Sequence, residues 1–558
     1  MSTFDVIPLG GIREIGKNMW VVSNQQHMVV VDVGLKFPSE DMYGVNHLLP
    51  EFTYLLENKD KLAGIVLTHA HEDHVGGLVP LLKALGFCPP IYASELTLGL
   101  LEERICEIDA TYREQLRPIQ GRMEVQIETL KVRFMHVCHS ISGAVGLAID
   151  TPKGAIIFTG DFKMDPTPID QQPTDYFSFA DLGEKGVLLL ISDSTNATNP
   201  GYTISEKEVA QNFTNVFYRA KGRIIIATFA SSLHRIQQIV NRCVEFDRKI
   251  AFVGRSMERM TAKAIEMGYL TAPAGQIITA DTLDGYPPNK VAILTTGSQG
   301  EPLAALSLMA SGRYRQISIQ PGDTVIISAT PIPGNERSVF QNVNQLMARG
   351  AEVIYESRKG LHASGHASQE ELKLMLNLTK PRYFIPTHGE YRQMVGHAHL
   401  AMATGMTREN VYLLDVGDRF QLIGDQASVG PKVASGVVMV AGNGAGYLDG
   451  KELRERHKMV KDGVIFVSCA FDAAGRMVGL PRLVSKGFIV EEDPADLYKE
   501  AAQHLLQSFE GKEPKKLSAS DLENSVQSRL SHFINQKTQR RPVIVPLVHP
   551  PGEDMPDV

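Results

Sequence analysis

Up to about residue 160 the apolar positions come in short runs separated by Gly-rich turns, the pattern of strands. Residues 4–9 lead into Gly10-Gly11, residues 20–23 and 28–33 form a hairpin pair, and the run 65–67 is short and wholly apolar, as a buried strand is. Residues 78–85 switch to helical spacing, which places the polar stretch before them between a strand end and a helix N-terminus. Two more strands, 132–137 and 155–158, each run into a polar turn. A two-layer α/β domain is the architecture this predicts.

From about residue 205 to 355 the texture becomes a regular alternation. Strands at 223–228, 249–253, 291–295, 324–328 and 352–355 are separated by helical patterns such as 233–243 and 338–348, the rhythm of a parallel sheet inserted as a second domain. Strands at 411–414 and 419–423 would then complete the first sheet. The expected boundaries are 1–204 and 361–425 for the two parts of the first domain and 205–360 for the insert. Residues 426–460, richer in Gly and polar side chains, read as a linker, and 461–558 as a small α/β tail with strands at 463–470, 480–483 and 488–491 and a helix at 494–509. Several domains are required at 558 residues, because single cores stop growing near about 250–300 residues.

Composition narrows the class. A chain that is 43% hydrophobic and 21% charged is globular, not disordered. A net charge of −7 argues against gripping nucleic acid by bulk charge, but leaves room for a local basic groove or a site charged by metal ions. Cys88, Cys106, Cys138, Cys243 and Cys469 are scattered and form no CxxC pair, which predicts a reduced, cytoplasmic setting. No leader pattern opens the chain and no run reaches about eighteen apolar residues, so neither export nor a membrane span is expected.

The densest chemistry is Thr68-His69-Ala70-His71-Glu72-Asp73-His74, three imidazoles and two carboxylates in one loop after a buried strand. Imidazole and carboxylate bind first-row divalent cations, and this spacing can serve two neighbouring ions. A lone histidine such as His139 is ordinarily a satisfied core or surface residue. Here it follows a strand, as Asp161 does in TGDF and His388 in PTHGE, and strand ends on one edge are where α/β proteins assemble sites. Asp161 could span two cations about 3.5–4 Å apart, as two-metal phosphodiester hydrolases require. The segment Thr296-Gly297-Ser298-Gln299-Gly300-Glu301-Pro302 could cradle a phosphate with its amides, though a plain turn explains it equally well.

HxHxDH, the later His139, Asp161 and His388 resemble the metallo-β-lactamase fold. SDSTN at 192–196 and HASGHA at 362–367, around an inserted α/β domain, resemble the β-CASP nucleases. PLGGIREIGKNM, GDFKMDPTP, PGYTISE, TGSQGEP, PGDTVIISATPIPGNE and GLPRLVSKGF extend the resemblance nearly end to end, to the bacterial ribonuclease J family. The resemblance implies an α/β fold: a metallo-β-lactamase αββα sandwich, an inserted α/β β-CASP domain and a small α/β C-terminal domain.

It also implies two divalent metal ions per subunit, zinc first and manganese as the alternative. His69, His71 and His139 would hold one, Asp73, His74 and His388 the other, with Asp161 bridging. His366 would be the proton donor to the leaving oxygen and Asp193 its orienting partner, while the plainer reading of Asp193 is a turn residue ahead of Ser194-Thr195-Asn196. Ser231, Ser232, His362, Ser364 and Gly365 would form a pocket for a 5′-monophosphate. The implied activity is 5′-to-3′ exonucleolytic hydrolysis of 5′-monophosphorylated single-stranded RNA, with endonucleolytic cuts, in rRNA processing and mRNA decay. A homodimer or homotetramer supported by the tail, and contacts with other RNA-decay proteins, belong to the same expectation.

Three places depart from the family wording. Ser142-Gly143-Ala144 stand where relatives carry a Pro-Asp-Ser run, Asn46 where an aspartate is usual, and Leu308 where an arginine often lies. None removes a candidate ligand, so they bear on substrate preference. Two rivals remain: a small-molecule metallohydrolase of lactonase or thioesterase type, which needs no inserted domain, and an RNA-binding scaffold without catalysis, which needs no complete ligand set.

Overall fold

The computed structural model describes residues 3–39, 41–301, 303–329, 331, 335–355, 360–442, 446–448, 450–472, 475–488, 494–510 and 518–549. They fall into two compact units, Met1–Phe37 with Leu48–Val438, and Pro38–His47 with Met439–Val558.

In the first unit an eight-stranded sheet runs Gln426–Gly430, Arg419–Ile423, Thr3–Gly10, Met19–Ser23, Met28–Val31, Leu62–Val66, Ile91–Ala93, Leu116–Pro118. A six-stranded sheet runs Tyr383–Thr387, Val187–Asp193, Gly154–Phe158, Val145–Thr151, Leu130–His136, Glu124–Ile127. Their facing side chains form one core, in which Val6, Trp20, Val22 and Val31 meet Phe134, Leu147, Ile156 and Ile191. Trp20 closes edge-to-face on Phe158 at 5.8 Å between ring centroids. The outer face of the first sheet is covered by helices Leu78–Leu85 and Glu95–Cys106, and that of the second by Tyr176–Lys185, Gln369–Thr379 and Tyr391–Ala403. This is the expected αββα sandwich. Covered on both faces, strands such as Met19–Ser23, Met28–Val31 and Val187–Asp193 are buried along their whole length, which is why they read as unbroken apolar runs.

Between the strands Val187–Asp193 and Tyr383–Thr387 the chain builds a third sheet, wholly parallel, in the order Ile277–Ile278, Lys249–Val253, Val291–Thr295, Ile224–Ala227, Thr324–Ile327, Glu352–Ile354. Apolar cores lie on both of its faces. Helix Leu233–Glu245 shows why the pattern was legible: Leu233, Ile236, Ile239, Val240 and Cys243 recur at helical spacing and are all buried.

In the second unit, Val464–Phe471 pairs antiparallel with Met477–Lys486 and parallel with Val543–His549. Ile465, Val467, Cys469 and Phe471 alternate inward against helices Pro494–Phe509 and Ala519–Thr538, while Phe466 faces outward. Among the described residues, no group of metal-ligating side chains lies in this unit, and no helix anywhere is long and apolar enough to cross a membrane.

Two local expectations need correction. Residues 426–460 carry regular structure: Gln426–Gly430 is an edge strand paired with Arg419–Ile423, and a helix spans Gly450–Asp462. That edge strand is solvated on one side and the helix buries no side chain, so both carry the polar composition of a linker. Residues 411–414 make a single bridge, Phe384 to Val411, because Asp418 accepts from the Asp415 amide at 2.7 Å and turns the chain. Of the strand expected at 488–491, residues 489–491 lie outside the described residues.

Candidate active site

The strand Leu62–Val66 leads through Leu67 into Thr68 and His69, and the short helix Glu72–Val75 follows, so His69, His71, Asp73 and His74 leave the backbone within six residues. The helix packs so closely on Gly34 that a Cβ there would sit 1.7 Å from the Asp73 carbonyl oxygen. His139 follows the strand Leu130–His136, Asp161 the strand Gly154–Phe158, and His388 the strand Tyr383–Thr387. All seven candidate ligands converge. His69, His71 and His139 form one set of donors, and Asp73, His74, Asp161 and His388 a second, with the donor atoms of each set within 4.8 Å of one another. Asp161 borders both: its Oδ2 lies 3.2 Å from His74 Nε2, 3.7 Å from His69 Nε2 and 3.9 Å from His139 Nε2.

The imidazoles are turned for ligation. His139 Nδ1 faces the Gly365 carbonyl at 2.8 Å, His74 Nδ1 the Asp32 carboxylate at 2.7 Å, His69 Nδ1 the Thr68 hydroxyl at 3.0 Å and His388 Nδ1 the Thr195 hydroxyl at 3.0 Å. An Nδ1–H bonded in this way lets each ring, once neutral, present its Nε2 lone pair to an ion. His71 is reversed, its Nδ1 lying 3.0 Å from His69 Nε2 and 3.2 Å from His139 Nε2. Three ring nitrogens this close together could share one cation lying among them.

Electrostatics agree. Burial holds His69 and His139 well below the ordinary imidazole pKa, with neighbouring imidazoles adding to it, and His71 falls to about 4. They are neutral, the form in which an imidazole can bind a metal ion. At His74 and His388 burial also opposes charge, but Asp161 and other carboxylates outweigh it, holding His74 well above the ordinary value and His388 up to about 10. Protons there supply the positive charge that Asp73 and Asp161 need. The donor set therefore fits divalent cations, which would take over that charge.

Asp32 escaped the sequence reading. It is buried, accepts from the Thr68 amide at 2.7 Å as well as orienting His74, and sits at φ 60°, a left-handed conformation that costs about 1–3 kcal/mol in a non-glycine residue. Its only signal was a carboxylate closing the apolar run Val29-Val30-Val31. Asp32→Asn should weaken metal affinity about 10–100-fold while all the ligands remain, which competition with a fluorescent chelator would measure.

His366 Nδ1 and Asp193 Oδ2 are 2.7 Å apart. The turn reading of Asp193 also holds, since its Oδ1 accepts from the Thr195 amide at 2.9 Å. One carboxylate therefore shapes the SDSTN turn and holds His366. Asp161, Asp193, His366 and His388 also form a third compact donor group, so the geometry alone offers His366 a ligand role as well. Burial works against charge on His366, but Asp193 and Asp161 together outweigh it and raise the imidazole above its usual value.

The candidate phosphate pocket is brought together in part. Gly365 lies against His139, where a Cβ would come within 2.6 Å of the ring, and Ser364 Oγ accepts from Asn196 at 2.9 Å and from the His366 amide at 3.2 Å. His362 meets Arg235 at 2.7 Å. Ser232 is buried at the start of helix Leu233–Glu245, without a side-chain capping bond. Ser231 lines a groove of about 940 Å³ shared by the sandwich, through His71 and Arg104, and the insert, through Arg259 and Lys263. Thr296, Gly297 and Ser298 face the same groove. Of the departures, Ser142 bonds His234 of the insert at 2.9 Å, Asn46 is exposed and Leu308 is half-buried in helix Ala305–Ser311.

Family models match in four places: a beta-lactamase superfamily domain over residues 29–176, the beta-CASP domain of ribonuclease J over 221–346, a Zn-dependent metallo-hydrolase RNA specificity domain over 350–414, and the ribonuclease J C-terminal domain over 451–550. The chain is 40% identical over 550 residues to Ribonuclease J 1 of Streptococcus pyogenes serotype M3, covering 98% of each. It is 39% identical to Ribonuclease J2 of Bacillus subtilis (strain 168), covering 97% of this chain and 98% of that one. Ribonuclease J of a Synechocystis species is 39% identical, with 97% and 86% covered. A crystal structure of a protein of unknown function from Enterococcus faecalis V583 shares the fold, with a TM-score of 0.53 at 16% identity, over 76% of this chain and 100% of that one. The sandwich, the inserted parallel sheet, the His/Asp centre and these matches together place the chain in the ribonuclease J family of metal-dependent ribonucleases.

Proposed function

We propose that the protein shortens 5′-monophosphorylated single-stranded RNA from its 5′ end, and also cuts internally, at a centre of two divalent ions held by His69, His71 and His139, by Asp73, His74 and His388, and by Asp161 between them. Zinc suits the imidazole-rich set and manganese is the alternative. The observation that carries the reading is the His366–Asp193 pair, 2.7 Å apart and beside the seven donors, where a small ester hydrolase needs no second proton donor.

Bound ions would supply an activated water and neutralise the charge developing on the phosphoryl oxygens. The chain does the rest. Gly365, Thr195, Asp32 and Thr68 fix the imidazole orientations. His366, kept protonated by Asp193, passes its proton to the leaving 3′-oxygen. The groove, walled by both domains, holds the strand, with Arg259 toward its phosphates and Arg104 and Lys263 exchanging their pairs with Glu72 and Glu266 for them. Ser231, Ser232, His362, Ser364 and Gly365 take the 5′-monophosphate. The boundaries 1–204, 205–360, 361–425 and 461–558 assign the sandwich, insert and tail, and the tail supports a homodimer or homotetramer.

A time course on end-labelled RNA carrying 5′-hydroxyl, monophosphate or triphosphate tests reaction, polarity and pocket together. Monophosphorylated RNA should decay fastest and release its 5′ nucleotide first. Turnover of a lactone panel without RNA decay would favour the small-molecule hydrolase, and unchanged RNA decay in His74→Ala would favour a scaffold with a contaminating nuclease.

A further inference from the structure

Arg235 is 1% exposed, in the first turn of the helix that begins directly after Ser231 and Ser232. Its guanidinium crosses to the returning segment. Nη1 donates to the Ser328 carbonyl at 3.1 Å and meets His362 Nδ1 at 2.7 Å, while Nη2 donates to the Ala363 carbonyl at 3.0 Å and to Glu206 Oε1 at 2.8 Å. This side chain thus ties the half of the pocket carrying Ser231 and Ser232 to the half carrying His362, Ser364 and Gly365. Glu206, itself 5% exposed, balances its charge.

The contact with His362 has a chemical consequence. A guanidinium carries only donors, so a bond of 2.7 Å requires a lone pair on Nδ1. The ring's one proton must then sit on Nε2. We infer that Arg235 is a positioning residue for recognition of the RNA 5′-monophosphate: it fixes His362 as the neutral Nε2–H tautomer and locks the His362–Gly365 segment to the start of the helix. Burial, with the adjacent guanidinium adding to it, pushes His362 down to about 3, so the ring of the free protein is neutral. A lysine could neutralise Glu206, but one ammonium cannot reach both carbonyls and the imidazole.

The inference rests on the 5′-monophosphate reading above, and the test separates the two. The full-length, metal-loaded protein and Arg235→Lys would be compared on one RNA bearing 5′-monophosphate or 5′-hydroxyl. The preference for monophosphate, as a ratio of kcat/KM, should fall about tenfold in the variant, mostly through KM. A general structural defect lowers both rates and leaves the ratio alone. Nitrogen-15 NMR of labelled histidines, with His362 assigned from a His362→Gln sample, should show the wild-type proton on Nε2, and this readout needs no folded Arg235 variant. A wild-type protein without preference for monophosphate would overturn the pocket reading. A preserved ratio in Arg235→Lys, or a proton on Nδ1 of His362, would overturn the role of Arg235.

Discussion

Asp161→Asn is expected to abolish RNA hydrolysis, lowering the rate by about 10²–10³-fold or more, and to reduce the metal retained after dialysis. The carboxylate is 3% exposed and borders both donor sets, with Oδ2 3.2 Å from His74 Nε2 and 3.7 Å from His69 Nε2, and Oδ1 3.3 Å from His388 Nδ1. Asparagine keeps the shape but removes the charge, and the amide it turns toward the imidazoles competes with a cation for their lone pairs. Elemental analysis alongside RNA decay would measure both effects, with circular dichroism to establish that the variant folds. Full activity with undiminished metal would remove Asp161 from the ligand set.

His366→Ala should behave differently. Hydrolysis should slow by about 10²–10⁴-fold while metal content stays unchanged, as for the loss of a proton donor standing outside the ligands. The pH profile gives a second signature. If His366 is the proton donor, the wild-type rate should fall as pH rises through its pKa, which Asp193, with Asp161 adding to it, holds above the ordinary imidazole value against burial. That alkaline limb should be missing in the variant. Loss of metal from His366→Ala would instead make it a ligand, through the group it forms with Asp161, Asp193 and His388.

The opening loop was legible because four donors sit within six residues after an apolar strand. His139, Asp161 and His388 could be read because each closes a strand, and in the fold those strands belong to one six-stranded sheet. The groups that orient the candidate ligands were harder to see. Asp32 follows Val31 as any turn aspartate would, and only its φ of 60° and its bond to His74 reveal it. Thr195 is one hydroxyl in a polar turn, and the Gly365 carbonyl is backbone, which carries no side-chain signature. Arg235 looks in sequence like the solvated charge of an amphipathic helix, whereas tertiary packing buries it and gives its donors partners from three other segments. The strand Gln426–Gly430 was missed for a related reason: an edge strand with one wet side has the composition of a loop.

The central claim is hydrolysis of RNA by a centre of two cations. Chelated protein, back-titrated with zinc or manganese while hydrolysis of 5′-monophosphorylated RNA is followed, tests it most directly. The account predicts no hydrolysis without metal and a rise that levels off at two ions per chain. Undiminished hydrolysis by the metal-free protein, or full activity at one ion per chain, would contradict it.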